Sequence, residues 1–229
     1  MIHRILITSG KILPSIQLNK AQHHHIINVT RARNGDTIEI LDGCGSIYQG
    51  GLTIISKSQS CIDQISCMSV AEKPTLSILL AGITKLNAFD LILQKATEMG
   101  VSEIQPIICE FTPVKHQILY SAERLAHWEK VIQSSVIQSR NPWLPKIQPA
   151  KIFSQISWER PTLTLHPYAE NDEDTKLNTF NQVAVGPEGG WSKKELDIIH
   201  ENCETVSINT PILRADTAVV AGLILIKTK

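Results

Sequence analysis

Val185-Gly186-Pro187-Glu188-Gly189-Gly190-Trp191-Ser192 is the stretch that decides how this chain is read. An apolar run, Val183 to Val185, leads into it, and Ser192 with Glu195 makes the S-x-x-E pattern that opens a helix. A glycine-rich strand-to-helix junction lets backbone approach a ligand closely and offers free amides to it. Further on, Ile212-Leu213-Arg214-Ala215-Asp216-Thr217-Ala218 repeats the arrangement, with an apolar strand, a tight turn and a helix opening at Asp216. Two such loops at neighbouring strand ends make a cofactor pocket built mostly from backbone. Three of only 12 glycines cluster in the first turn, which favours ligand binding over a plain tight connection. The chain has neither G-x-x-x-x-G-K-[ST] nor G-x-G-x-x-G, which argues against a nucleotide triphosphate or dinucleotide held in the usual way.

Outward from this turn, strands alternate with helices. Thr75 to Ala81 is a continuous apolar run of the kind found inside parallel sheets. Residues 88–99 place Phe89, Ile92, Leu93, Ala96 and Met99 on one side of a helix, and Gly100 stands in the position that ends it. Ile104 to Cys109 reads as a strand and Ser121 to Ser139 as a long helix. Thr162 to Leu165, Gln182 to Val185 and Thr205 to Ile208 read as further strands. The pattern predicts an α/β sheet with its ligand at the strand C-termini. Residues 1–72 read differently. Ile2 to Ile7, Thr37 to Leu41, Tyr48 to Ser56 and Ser60 to Val70 are strand-like, and turn chemistry at Asn34-Gly35-Asp36 and Asp42-Gly43-Cys44-Gly45 separates them. A small barrel or sandwich is expected there. The pattern changes near Glu72-Lys73-Pro74, so the expected domains are 1–72 and 73–229. Ala169 to Lys176 reads as an acidic surface loop.

The 229 residues, 42% of them apolar, can bury a sizeable core. Lys+Arg and Asp+Glu are equal at 22 each, so binding to nucleic acid requires cations gathered on one face. Five scattered cysteines without a C-x-x-C pair point to reduced thiols in a cytoplasmic protein rather than to zinc or a disulfide framework. No signal-peptide core is evident. The longest apolar run, Ala218 to Ile226, falls short of the ~20 residues of a membrane span.

Asp90, Gln94 and Glu98 share one helix face, with Lys95 beside them and Lys85 just before. Taken alone this is a solvated face; against RNA it is a recognition surface. Lys115, Arg124, Lys130, Arg140 and Lys146 spread positive charge over the middle of the chain, accompanied by Trp128 and Trp143. His23-His24-His25 cannot all point at one ion from adjacent positions, so no metal site is assigned. Arg31 and Arg33 are better candidates for phosphate contact. No G-x-S-x-G elbow supports nucleophilic hydrolysis.

Several segments, taken in order, resemble the SPOUT-class RNA methyltransferases, in particular the RsmE family of 16S ribosomal RNA uridine-N3 methyltransferases. They are His25-Ile26-Ile27-Asn28-Val29-Thr30-Arg31, Leu41-Asp42-Gly43, the helix Leu93-Gln94-Lys95-Ala96-Thr97-Glu98-Met99-Gly100-Val101, then Gln138-Ser139-Arg140, Leu165-His166-Pro167, the glycine turn, and Ile212-Leu213-Arg214. The resemblance covers essentially the whole chain. It implies an α/β fold with a deep C-terminal trefoil knot, an N-terminal β-barrel PUA-like domain for RNA binding, and a homodimer in the cytoplasm. It implies S-adenosyl-L-methionine as cofactor and 16S rRNA or the small ribosomal subunit as partner, without membrane or metal. On this resemblance the cofactor is held by Leu165, His166, Gly186, Glu188, Gly189, Gly190, Ile208, Asn209, Ile212 and Leu213. Arg214 and Asp216 are the catalytic pair. Arg31, Arg33, Lys85, Gln94, Lys95, Lys115 and Arg140 contact RNA. The chain departs from the family in having Asn209 and Pro211 where a glycine and an arginine are usual, Asp216 for a glutamate, and Ile137 where the E-Q-S segment has its glutamate. Two alternatives stand beside this reading: a catalytically weak RNA-binding protein of the same fold, and a methyltransferase with a different RNA target.

Overall fold

A computed structural model describes residues 3–8, 12–166, 169, 177–208 and 210–227, with only the backbone of Asn178. The chain forms two compact units, Met1–Lys73 with Gln133–Leu144, and Pro74–Ile132 with Pro145–Lys229.

In the first unit β1 (His3–Leu6), β2 (Ile16–Gln17), β3 (Thr37–Leu41), β4 (Ser46–Ser56) and β5 (Gln59–Val70) form one sheet in the order β1-β3-β4-β5-β2. β1 runs parallel to β3, and the other pairs are antiparallel. Alternation puts Ile38, Ile40, Leu52 and Ile62 into a core closed by Ile26. Ile26 belongs to an element the β-rich reading missed: α1 (Lys20–His24), continued by a π-helical turn, His25–Val29. Asn19 and Gln22 form a reciprocal capping box at its start, which was a usable signal. His23 is buried and shares hydrogen bonds with Ser60 Oγ and the Lys57 carbonyl, so it is a packed core histidine. Arg140, at φ +59, lies within the Gln133–Leu144 segment of this unit, and its guanidinium pairs with Glu39 at 2.9 Å. Glu39 also accepts from Arg4 Nε at 2.7 Å.

The second unit is built on seven parallel strands: β6 (Ile78–Gly82), β7 (Glu103–Ile108), β8 (Lys146–Ile147), β9 (Lys151–Ile152), β10 (Thr162–Leu165), β11 (Gln182–Val185) and β12 (Glu204–Val206). Their order is β12-β10-β11-β6-β7-β8, with β9 also alongside β7. The split between β8 and β9 falls opposite Pro106, which has no N–H to donate. The buried Gln105 amide closes that gap by donating to the Pro149 carbonyl at 2.8 Å.

The strands in the sheet centre are buried and apolar, as a parallel sheet covered on both faces requires. α2 (Leu86–Glu98) buries Phe89, Ile92, Leu93 and Ala96, and the bonds Gly100 N to Thr97 O and Val101 N to Ala96 O end it as a Schellman motif. α3 (His116–Leu119) is a single turn before α4 (Ala122–Ser139). Trp128 of α4 is fully buried against Phe89, ring centroids 5.1 Å apart. Side chains of this size stabilise the fold by about 1.5–3 kcal/mol each. α5 (Lys193–Asn202) and α6 (Ala215–Lys227) complete the unit. α6 packs on α2 and β11, and Lys227 at its end donates to the Met99 and Gly100 carbonyls, capping α2. Partial desolvation lowers the pKa of this ammonium. The expected acidic loop lies almost wholly outside the described residues. No helix among the described residues is long and apolar enough to cross a membrane.

Candidate active site

The C-terminal ends of β10, β11 and β6 open onto a cleft of about 520 Å³. Open parallel sheets place ligands at these strand ends because the loops there are free to diverge. The cleft unites much of what the sequence nominated: Leu165 and His166 after β10, Gly186, Glu188 and Gly190 from the glycine turn, and Ile212, Leu213, Arg214 and Asp216 before and at the start of α6. Ile208 lines a smaller neighbouring cavity of about 80 Å³ with Pro211, sharing Leu165, His166 and Ile212 with the cleft. Gly189 does not line the cleft; it is backed against Phe111. Asn209 lies outside the described residues.

The expectation of free amides needs correction at Gly190. Its N–H closes the turn onto the Pro187 carbonyl at 2.9 Å, with φ at +74. The turn is thus shaped by one of its own donors. At its exit the predicted capping box is complete: Ser192 Oγ accepts from Glu195 N, and Glu195 Oε2 accepts from Ser192 N at 2.8 Å. Glu195 is buried, and its other oxygen accepts from Glu110 N at 2.9 Å, tying the helix start to the turn after β7. Glu195→Ala is expected to cost ~2–4 kcal/mol, since two bonds to one buried carboxylate are lost together. Urea unfolding reads this, and Glu195→Gln, which keeps one acceptor oxygen, should recover part of the loss.

Several wall residues were not singled out from the sequence as site residues: Thr84, Ala88, Ile92 and Leu196; nor was Gly82 at the end of β6, which does not line the cleft but backs its glycine turn. Gly82 matters most. A Cβ there would meet Pro187 N at 2.6 Å and the Gly186 carbonyl carbon at 2.8 Å, so its lack of a side chain lets the glycine turn press onto β6. The available signal was a glycine closing an apolar strand, as Gly186 follows Val185. Trp191 stands against Gly186 and packs edge-on to Phe153 at 5.6 Å.

At the rim, Arg214 is 74% exposed and its Nε lies 3.5 Å from Asp216 Oδ1. That oxygen also accepts the Thr217 N–H at 2.9 Å, which fixes it at the helix start. The pair therefore presents an exposed cation beside a carboxylate tied to the backbone. Among the described residues no group of three or more His, Cys, Asp or Glu is placed to hold a metal. Burial pushes the thiol of Cys203 up to about 12 and that of Cys109 higher, so neither is a nucleophile at neutral pH.

The nominated RNA contacts are dispersed. Lys85 is exposed at the start of α2 and Lys115 at the start of α3, while Gln94 is exposed on α2. Lys95 is paired with Glu98 at 2.8 Å, and Arg140 is committed to Glu39. Arg31, at φ +57, and Arg33 are exposed in the first unit. Asp90 is no part of a solvated face: its Oδ2 meets His127 Nε2 at 2.7 Å, joining α2 to α4.

The family model of an RNA methyltransferase domain matches residues 71–227, and that of an RNA methyltransferase PUA domain matches residues 18–63. The ribosomal RNA small subunit methyltransferase E of Aquifex aeolicus is 30% identical over 77% of this chain and 81% of its own. That of Synechocystis sp. is 27% identical over 97% of this chain and 76% of its own. The crystal structure of the Neisseria gonorrhoeae enzyme of the same name, bound to S-adenosyl methionine, superposes with a TM-score of 0.84 at 27% identity, covering 98% of this chain and 96% of that one. With both domain models matched in order and a relative at this identity, the chain belongs to the ribosomal RNA small subunit methyltransferase E (RsmE) family of RNA methyltransferases.

Proposed function

We propose that this protein transfers a methyl group from S-adenosyl-L-methionine to N3 of a specific uridine in 16S rRNA of the small ribosomal subunit. The observation that carries the reading is the cleft itself, where the glycine turn and the loop before α6 converge at the strand C-termini. Its size suits a cofactor of this class. Its donor set fits as well: an apolar floor from Ile92, Leu165, Val185 and Leu213, with the carboxylates of Glu188 and Asp216 at hand for a cationic ligand. When bound, the cofactor supplies an electrophilic methyl carbon on a positively charged sulfur.

The rest of the work falls to the chain. Leu165, His166, Gly186, Glu188, Gly190, Ile208, Asn209, Ile212 and Leu213 are assigned to cofactor binding, and Gly189, which does not line the cleft, to the close fit of the turn against Phe111. Holding both reactants in line replaces much of the entropic cost of their meeting. Uridine N3 is paired in a duplex and weakly acidic, so the base has to leave its stack and lose a proton. Arg214 is assigned to stabilise negative charge on the uracil oxygens or to grip the adjoining phosphate. Asp216 is assigned to orient it or to take the N3 proton. The exposure of Arg214 and the anchoring of Asp216 support this division of labour.

The proposed organisation is a PUA-like β-barrel over 1–72 and a SPOUT domain over 73–229 whose C-terminus is knotted. The protein is further proposed to act as a homodimer in the cytoplasm. Arg31, Arg33, Lys85, Gln94 and Lys115 are its proposed RNA contacts, with Lys95 and Arg140 joining them only on release from Glu98 and Glu39. Titration with S-adenosyl-L-methionine by calorimetry, followed by sedimentation, tests the reading. Saturable one-to-one binding per protomer by a dimeric protein supports it. Absence of binding favours the second reading, an RNA-binding protein without catalysis, which Pro211 favours because a proline at that position offers the cofactor no amide.

A further inference from the structure

We propose that the connection from β7 to α4 forms a stacking platform for the single-stranded RNA flanking the target nucleotide, with Phe111 and Tyr120 as its base-stacking side chains. The inference rests on the reading of the cleft as a methyl-transfer site for RNA. Among the described residues, the exposed aromatic side chains are Phe111 (47%) and Tyr120 (54%), and both lie in this one connection. A chain with 5% aromatic residues otherwise keeps those described buried or half-buried. Leaving two in water within ten positions of each other costs solvation free energy that a ligand's π-face would recover.

The position is also specific. Phe111 lies on the back of the glycine turn: a Cβ at Gly189 would come within 2.9 Å of Phe111 Cβ. Phe111 is therefore directly against the loop assigned to the cofactor. It is held rigidly as well. Cys109 N bonds Thr112 Oγ1, Thr112 N bonds the Cys109 carbonyl, and Glu195 fixes Glu110 N. Leu119, buried, anchors the far end.

Lys115, His116 and Gln117 are exposed between the two aromatics. An adjoining groove of about 320 Å³ carries His116 and Lys194 together with Glu110 and Glu195 on its walls, over a floor of Ile108, Ile152 and Phe153. Exposed rings with a cation between them, here Lys115, are the chemistry by which single strands are bound without base reading, at about 1–3 kcal/mol per stacked base. A uridine drawn out of its stack leaves neighbours that need such support.

The test measures binding of a labelled single-stranded oligouridine to the full chain and to Phe111→Ala, Tyr120→Ala and Phe111→Trp, alongside cofactor titration, sedimentation and kinetics on small ribosomal subunits. Each alanine variant should weaken RNA binding by roughly 5- to 50-fold and raise KM for the subunit, with kcat and cofactor affinity within about twofold. Phe111→Trp should restore binding. Phe111→Ala keeps the Cβ that meets Gly189, so its thermal unfolding should match wild type. Unchanged RNA affinity in both alanine variants overturns the proposal, as does a change in oligomeric state with RNA affinity intact, which would make this face a protein interface. Failure of the underlying reading shows separately, as wild-type protein that binds RNA and is weakened by the variants yet transfers no methyl group. Wild-type protein that binds no RNA overturns both.

Discussion

Arg214→Ala is expected to lower kcat for methyl transfer by roughly 100- to 1,000-fold, with S-adenosyl-L-methionine bound within about tenfold of wild type. Two observations set this expectation. The side chain is 74% exposed, so its removal opens no core cavity and removes no packing. Its Nε lies 3.5 Å from Asp216 Oδ1, a weak exposed pair that contributes little to stability. An exposed arginine held at the mouth of a cleft contributes mainly where charge develops on a bound substrate. Arg214→Lys should recover little, because the ammonium lacks the planar fork that matches paired oxygens. Single-turnover kinetics with saturating cofactor reads the effect, and turnover within about twofold of wild type would remove Arg214 from the chemistry.

Gly82→Ala should have the second largest effect, although Gly82 is no candidate for chemistry. The added Cβ meets backbone atoms of Gly186 and Pro187 rather than the end of a flexible side chain, so the glycine turn has to move. Overpacking of this kind costs about 1–3 kcal/mol, a fall in Tm of roughly 5 °C for a chain of this size. Displacement of Gly186 and Glu188 should also weaken cofactor binding at least about tenfold, because both line the cleft. The contrast with Arg214→Ala separates two ways of losing activity. One variant keeps the pocket and loses the chemistry, and the other loses the pocket. Calorimetric titration of both distinguishes them, and full cofactor affinity in Gly82→Ala would refute the close-approach argument.

The parallel sheet was legible because its strands are short apolar runs and its helices are periodic and capped. Val183 to Val185, the Ser192–Glu195 box and Gly100 all carry local signals that tertiary structure kept. The glycine turn and the Ile212 to Asp216 loop were legible as a pair from their chemistry and do converge on one cleft, but the strands before them, β11 and β12, are separated by β10 rather than adjacent as expected. What stayed hidden depends on partners remote in sequence. Gly82 acquires meaning only when Pro187 is laid across it. Asp90 reads as solvated until His127 arrives from α4, 37 positions away. Arg140 reads as a free cation until Glu39 meets it across 101 positions. The helix at Lys20–His24 was obscured by its run of histidines, although the Asn19–Gln22 box marked its start.

The central claim is the reaction itself. The most direct measurement is transfer of label from S-adenosyl-L-methionine to small ribosomal subunits that lack the modification, followed by digestion and mass spectrometry of the nucleosides. The account predicts that the label appears as 3-methyluridine and is lost with Arg214→Ala. Folded protein that binds the cofactor but leaves the subunit unlabelled, or labels another nucleoside, would contradict it.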